Sequence, residues 1–360
     1  MVKILTTVAS VAALTMSGCT YPMPTAPVSG GAASESTEAS ADDSSDKQSQ
    51  TAAVSEEEPA EVKQDGSHEQ EAKVRIGSLK GPTSIGLVKL MNDNTDEYSF
   101  TIETQADVIS AGIVSGDLDI VLIPANVASV LYQKTGGKIS VIDINTLGVL
   151  YMLSGDDSIK GLKDLEGKTV YTTGAGTTPE FVLKYLLKEN GLEGKVSIEF
   201  KSEAQEVTAL LSSEPESVGM LPQPFATAAL AQNDKLKIVA DMTEEWDSLN
   251  NGSSLVTGVT VARNDFISEN PEAVNKFLAD HSESAQFTDT DTKTAAEYTA
   301  AAGIIEKAPI AEKAIPYCHI VCITGEEMKD MLSGYLNVLY EADNASIGGS
   351  LPSDDFYFSE

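Results

Sequence analysis

An α/β fold of two lobes joined by a two-strand hinge is what this sequence predicts, on three observations. From residue 74 to about 240, short apolar runs alternate with helix-spaced stretches, the βαβ pattern of mostly parallel sheets with helices on both faces. Residues 74–360 supply enough chain for two lobes. The alternation is interrupted near 155–162 and again near 241–254, where the chain would cross between lobes. The expected division is 74–160 with 250–360 as lobe one and 161–249 as lobe two.

The elements follow in order. Lys73–Leu79 (KVRIGSL) reads as a first strand ending in Lys80-Gly81-Pro82-Thr83-Ser84, and Ile85–Met91 has helical spacing. Ser99–Glu103 is a short strand, and Ala106–Val114 a helix closed by Ser115-Gly116. Asp119–Ile123 (DIVLI) is the apolar run of a buried parallel strand. Pro124-Ala125-Asn126 ends it, Val127–Lys134 resumes helical periodicity, and Lys138–Asn145 and Gly148–Leu153 read as strands. A second set begins at Leu162. Thr169–Thr172 leads into the turn Gly174-Ala175-Gly176-Thr177-Thr178, then the helix Phe181–Glu189, with Thr178 as N-cap and Pro179 in the first turn. Strands Val196–Phe200, Ser217–Leu221 and Lys237–Ala240 alternate with helices Ala204–Leu211 and Phe225–Gln232. After Thr243-Glu244-Glu245-Trp246 come a strand, Ser254–Ala262, and helices at Pro271–Ser284, Thr292–Gly303 and Glu326–Glu341 that should pack back onto lobe one.

The first residues read as a targeting segment. Lys3 precedes the apolar run Ile4–Met16, too short to span a bilayer and right for a signal peptide. Ser17-Gly18-Cys19 closes it as a lipoprotein processing site does, so residues 1–19 are expected to end at a lipidated Cys19. Residues 20–73 carry twelve acids against three lysines and almost no apolar content, the composition of a disordered acidic tether. The expected location is extracytoplasmic, lipid-anchored at the outer face of the cytoplasmic membrane. A formal charge of −31 excludes nucleic acid as a partner and suits a soluble monomer.

Three cysteines, one of them the expected anchor, exclude a disulfide framework. Cys318 and Cys322 in PYCHIVC would lie about 13 Å apart in an extended strand, too far to bridge. A metal site there would need more ligands than His319, and His68 and His281 fall in the tether and a helix. Two unpaired, mostly buried thiols are expected, with no metal and no cofactor.

The folded region contains, in order, VRIGSLKGPTSIGLVKLM, SGDLDIVLIPANVASVLY, DLEGKTVYTTGAGTTPEFVLKYLLKENGL, MLPQPFATAAL, TEEWDSL with GSSLVTGVTVARNDFISENPEAVNKFL, and IGGSLPSDDFYF. In these segments it resembles the solute-binding proteins of nitrate, sulfonate and taurine importers and of thiamine precursors. The resemblance covers about residues 74–358. It implies the type 2 periplasmic-binding-protein fold, a small molecule captured between two closing lobes, and delivery to the permease of an ABC importer.

In open α/β sheets ligands bind beyond the carboxyl ends of strands, beside helix N-termini. That rule nominates Lys80, Gly81, Pro82, Thr83, Ser84, Pro124, Asn126 and Thr146 in lobe one. In lobe two it nominates Gly174, Gly176, Thr177, Thr178 and Gln223. Each of these loops also serves as ordinary turn and capping chemistry. Lys80 is the only cation among them, which points to a neutral or weakly charged ligand such as a heterocyclic vitamin precursor over a sulfonate- or nitrate-like anion. Trp246, the only tryptophan, either stacks on a planar ligand or packs the hinge. No histidine falls on a strand-end loop, so no catalytic residue is nominated. A ligand-sensing lipoprotein, or an enzyme of the same fold such as a pyrimidine-precursor synthase, are the rival readings.

Overall fold

The computed structural model describes residues 73–94 and 96–359. The expected signal peptide, Cys19 and all of the tether but Lys73 lie outside the described residues.

The eleven strands are β1 Val74–Leu79, β2 Tyr98–Glu103, β3 Ile120–Pro124, β4 Ile139–Leu147, β5 Leu150–Ser154, β6 Thr169–Thr172, β7 Ser197–Phe200, β8 Val218–Pro222, β9 Lys237–Asp241, β10 Val256–Arg263 and β11 Ile320–Ile323. They form a six-stranded sheet in the order β11-β4-β10-β3-β1-β2 and a five-stranded sheet in the order β7-β6-β8-β5-β9. In the first, β1 runs parallel to β2 and β3, while β10 enters antiparallel between β3 and β4. In the second, β6 is parallel to β7 and β8, and β5 is antiparallel to β8 and β9.

One boundary differs from the expected one. β5 lies in the second sheet, fully buried between β8 and β9, although a boundary at residue 160 assigns it to lobe one. The chain therefore passes from the first sheet to the second at Gly148-Val149, earlier than 155–162. Gly148 at φ 59° and Val149 at φ 72° form this abrupt turn. The return runs from β9 through a helix, Met242–Ser248, to β10. That helix is a further difference: Asp241 caps it by accepting from the Thr243 N–H (2.8 Å), an N-cap in a segment expected only to cross between the lobes.

The helices otherwise follow their periodicity, with shifted ends. The expected helix Ile85–Met91 is broken at Gly86-Leu87 into Pro82–Ile85 and Val88–Asp93. Thr177, one residue before the expected N-cap, occupies the cap position of the helix Thr178–Glu189. The helix from Pro271 runs on to Thr290, and the short helix Ala308–Ala314 is not among the expected elements because seven residues, about two turns, give little periodicity.

Burial explains the two-lobed packing. The flank Ile76, Ile120, Leu122 and Phe277 forms one apolar cluster of the first lobe, and Leu153, Val207, Leu211 and Leu221 one of the second. A larger cluster is continuous across the crossings and contains Met242, Trp246 and Tyr335. β4 is buried at every position except Leu147, including its polar Asp143, Asn145 and Thr146. Buried polar groups need partners, and these have them. Thr146 Oγ1 donates to Asn145 Oδ1 (2.8 Å), Asn145 Nδ2 to Thr260 Oγ1 (3.1 Å), and Thr260 Oγ1 to Asp143 Oδ1 (2.8 Å).

Candidate ligand-binding cleft

A cleft of about 400 Å³ opens where carboxyl ends of strands from the two sheets face each other. Leu79, Lys80 and Pro124 line it from the ends of β1 and β3, and Thr104 and Gln105 from the loop after β2. The opposite wall is Thr173, Gly174 and Thr177 after β6, Lys201 and Glu203 after β7, and Phe225 beyond β8. A second hollow of about 210 Å³ shares Lys80, Gln205 and Phe225 with the first. Lys80 thus stands where the two meet.

Of the residues nominated from sequence, Lys80, Pro124, Gly174 and Thr177 line the cleft. The others do not line it, and several of them fix the loops that do. Gly81 sits at φ 155° and ψ −151°, a backbone state confined almost entirely to glycine, and turns the chain into the helix at Pro82. The Thr83 hydroxyl donates to the Leu79 carbonyl (2.9 Å), as does that of Ser84, so these two buried hydroxyls hold the β1 end in shape. Thr146 is buried in the β4 network described above. Gln223, also buried, accepts at Oε1 from the N–H (3.2 Å) and hydroxyl (2.8 Å) of Thr227, fixing the start of the helix Phe225–Gln232.

In the turn after β6, Gly174 at φ 80° leaves room that a Cβ would fill, since that atom would lie 2.7 Å from Thr177 Oγ1. Thr177 Oγ1 itself donates to the Gly174 carbonyl (2.7 Å).

Asn126 and Thr178 join the lobes. The buried Asn126 amide donates to the carbonyls of Gly176 (3.2 Å) and Ser346 (3.1 Å), and its Oδ1 accepts from the Thr178 hydroxyl (3.2 Å). Asn126→Ala removes all three bonds, leaving the buried Ser346 carbonyl without its amide donor, and is expected to lower the unfolding free energy by about 1–3 kcal/mol. Urea denaturation followed by circular dichroism measures this; unchanged stability would show that the bridge contributes nothing.

Trp246 is not a cleft residue. Its side chain is 0 % exposed, Nε1 donates to Ser253 O and Oγ (both 3.2 Å), and its ring packs 4.9 Å from Tyr185 and 5.5 Å from Tyr335. Tyr185 belongs to the helix Thr178–Glu189 of the second lobe and Tyr335 to the helix Gly325–Ala342, which packs on the first. The indole therefore packs the crossing, and neither face is free to stack on a ligand.

The sequence reading missed Thr104, Gln105, Lys201 and Glu203. All follow strands that it did recognise, so the strand-end rule could have found them. Lys201 changes the electrostatics, because Lys80 is no longer the only cation. The Lys80 ammonium has no ion pair or hydrogen bond among the described residues. Lys201 reaches Glu199 (3.3 Å) and lies 5.0 Å over the Tyr171 ring. Helices Ala106–Ser115 and Ala204–Ser213 begin at the cleft, adding N-terminal N–H groups that favour negative charge. Asp107 and Glu203 oppose this. The cleft thus has a lysine from each lobe on its walls, with Gln105, Thr173 and Gln205 as further polar lining groups.

The cysteines lie elsewhere. Both are free, Cys318 buried and Cys322 partly buried, and burial pushes both thiols up so that they are protonated at neutral pH.

Residues 137–295 match the family model described as NMT1/THI5 like. A Brucella abortus protein is 22% identical over 185 residues, 51% of this chain and 56% of the relative, so the chain spans about half the length of the curated relatives it matches. An ABC transporter structure from Parabacteroides distasonis superposes with a TM-score of 0.69 at 22% identity, covering 80% of this chain and 99% of that one. The periplasmic aliphatic sulphonate binding protein SsuA of Escherichia coli gives 0.62 at 17% identity, over 75% and 87%. A Candida albicans protein described as having the generic periplasmic binding protein fold gives 0.55 at 14%, over 79% and 93%. With its two α/β sheets facing across a cleft, the chain has the periplasmic-binding-protein fold, and its residues 137–295 are similar to the NMT1/THI5-like family model.

Proposed function

We propose that this chain is an extracytoplasmic solute-binding protein that captures a small organic solute bearing an anionic group and delivers it to an ABC importer. The observation that carries the reading is the cleft itself, with Lys80 of one lobe and Lys201 of the other on its walls. It shifts the ligand expectation away from a neutral heterocycle, which had rested on Lys80 being the sole cation. The fold neighbours support the reading, since one is an ABC transporter protein and another binds aliphatic sulphonates. Lipidation at Cys19 would hold the protein at the membrane surface near its permease.

The lobes open and close about the crossings at 148–149 and 242–255. A ligand touching both walls favours the closed form by its differential affinity for it. Nothing in that cycle requires chemistry on the solute.

A thermal-shift screen tests this, with a panel of sulfonates, nitrate, carboxylates, pyrimidines, thiamine precursors and amino acids. A ligand at 100 times its dissociation constant adds about 2.7 kcal/mol of stability. The expected result is a rise in the midpoint with an anionic compound, one site by calorimetry, and unchanged ligand recovered afterwards. A consumed ligand would establish an enzyme instead, and a response only to neutral compounds would overturn the anionic assignment.

A further inference from the structure

Three further side chains, none of them lining the cleft, meet at one point of the first lobe. Asp143 of β4, His281 of the helix Pro271–Thr290 and Cys322 of β11 each place one ligand atom within 4.8 Å of the other two. We propose that these three residues form a binding site for a single borderline divalent transition-metal ion, zinc being the representative.

The geometry is close to what such an ion needs. His281 Nδ1 and Asp143 Oδ2 are 3.1 Å apart. Two ligands each bonded to zinc at its usual nitrogen and oxygen distances are about 3.3 Å apart at tetrahedral angles. The pair is already spaced for coordination, and the sulfur has only a short distance to close. The surroundings orient the ligands. Asn145 donates to Thr260, which donates to Asp143 Oδ1 (2.8 Å), and the His281 ring stacks on Phe277 with centroids 5.4 Å apart. Such supporting contacts are what hold metal ligands in place.

Charge argues for a cation as well. Asp143 and His281 are both 0 % exposed, and the imidazole is the only ion-pair partner of that carboxylate among the described residues. His281 Nε2 is also buried with no partner among the described residues. A divalent ion bound by carboxylate, thiolate and neutral imidazole gives a neutral cluster. Imidazole with thiolate selects zinc or cobalt over magnesium or calcium. Cys322 is only partly buried, whereas the other two ligands are fully enclosed. On binding, the Cys322 S–H proton and any proton on His281 Nδ1 leave to solvent, and no electron is transferred.

The test uses the full chain carrying Cys19→Ala, stripped with a chelator and then titrated with cobalt or zinc. The expected results are thiolate-to-cobalt charge-transfer absorption, one zinc per chain by mass spectrometry, and protection of Cys322 from alkylation by zinc. Cys322→Ser should abolish the absorption and weaken zinc at least about tenfold, whereas Cys318→Ser should leave both unchanged. The alkylation readout needs no substitution at the site, so it stands even if Cys322→Ser folds poorly. Absence of both absorption and protection at saturating metal would overturn the proposal. So would a band that survives Cys322→Ser in folded protein or disappears with Cys318→Ser.

Discussion

Replacing Trp246 by alanine is expected to lower the unfolding free energy by about 3–5 kcal/mol, the usual cost of truncating a fully buried large aromatic residue. Three features place it in that range. The side chain is 0 % exposed, it lies against Tyr185 and Tyr335, and its N–H satisfies Ser253. The substitution removes the aromatic link between two helices and leaves a cavity at the crossing between sheets. Denaturation in urea, followed by circular dichroism because the only tryptophan is gone, measures the loss. Trp246→Phe keeps much of the packing and gives up the N–H, so its cost should be clearly smaller. Ligand affinity in the phenylalanine variant should stay within about twofold, since no part of the indole faces the cleft. A tenfold loss of affinity at unchanged stability would put the ring back in contact with ligand.

The second large effect is on binding. Lys80→Ala with Lys201→Ala is expected to weaken the anionic ligand on the order of a hundredfold or more. A hydrogen bond to a charged group contributes about 1.5–3 kcal/mol, and every 1.4 kcal/mol or so is tenfold in affinity. Each lysine comes from a different lobe, so each single substitution also weakens the preference for the closed form. Lys184→Ala serves as control, because Lys184 pairs with Glu180 on the helix surface and does not line the cleft. Calorimetry at two salt concentrations separates the contributions, since screening acts on the charged term. Equal affinity in parent and double variant would mean that the ligand is neutral or sits elsewhere.

Both expectations depend on placements that local sequence patterns do not encode. The periodicity of FVLKYLLKE specifies a helix wherever that segment lies, and the structure has it within Thr178–Glu189. DIVLI likewise reads as a buried strand and contributes to β3. The strand-end rule located Lys80, Pro124, Gly174 and Thr177 on the cleft because it needs only the order of strand, loop and helix. It could not distinguish side chains that line the cleft from those that hold the loop. Thr83, Ser84, Asn126 and Gln223 belong to the second group, and the hydrogen bonds that put them there close over distances set by folding.

What the sequence by itself determined was the alternation of strands and helices, the strand-end loops, and a fold of two α/β lobes. These follow from hydrophobic periods of two and 3.6 residues and from local turn chemistry. Only the tertiary structure decided the rest. It assigned β5 to the second sheet, buried Trp246 between two tyrosines, brought Lys201 opposite Lys80, and gathered Asp143, His281 and Cys322 at one point. Each depends on contacts between residues far apart in the chain, and a short window of sequence looks the same whichever partner the fold supplies.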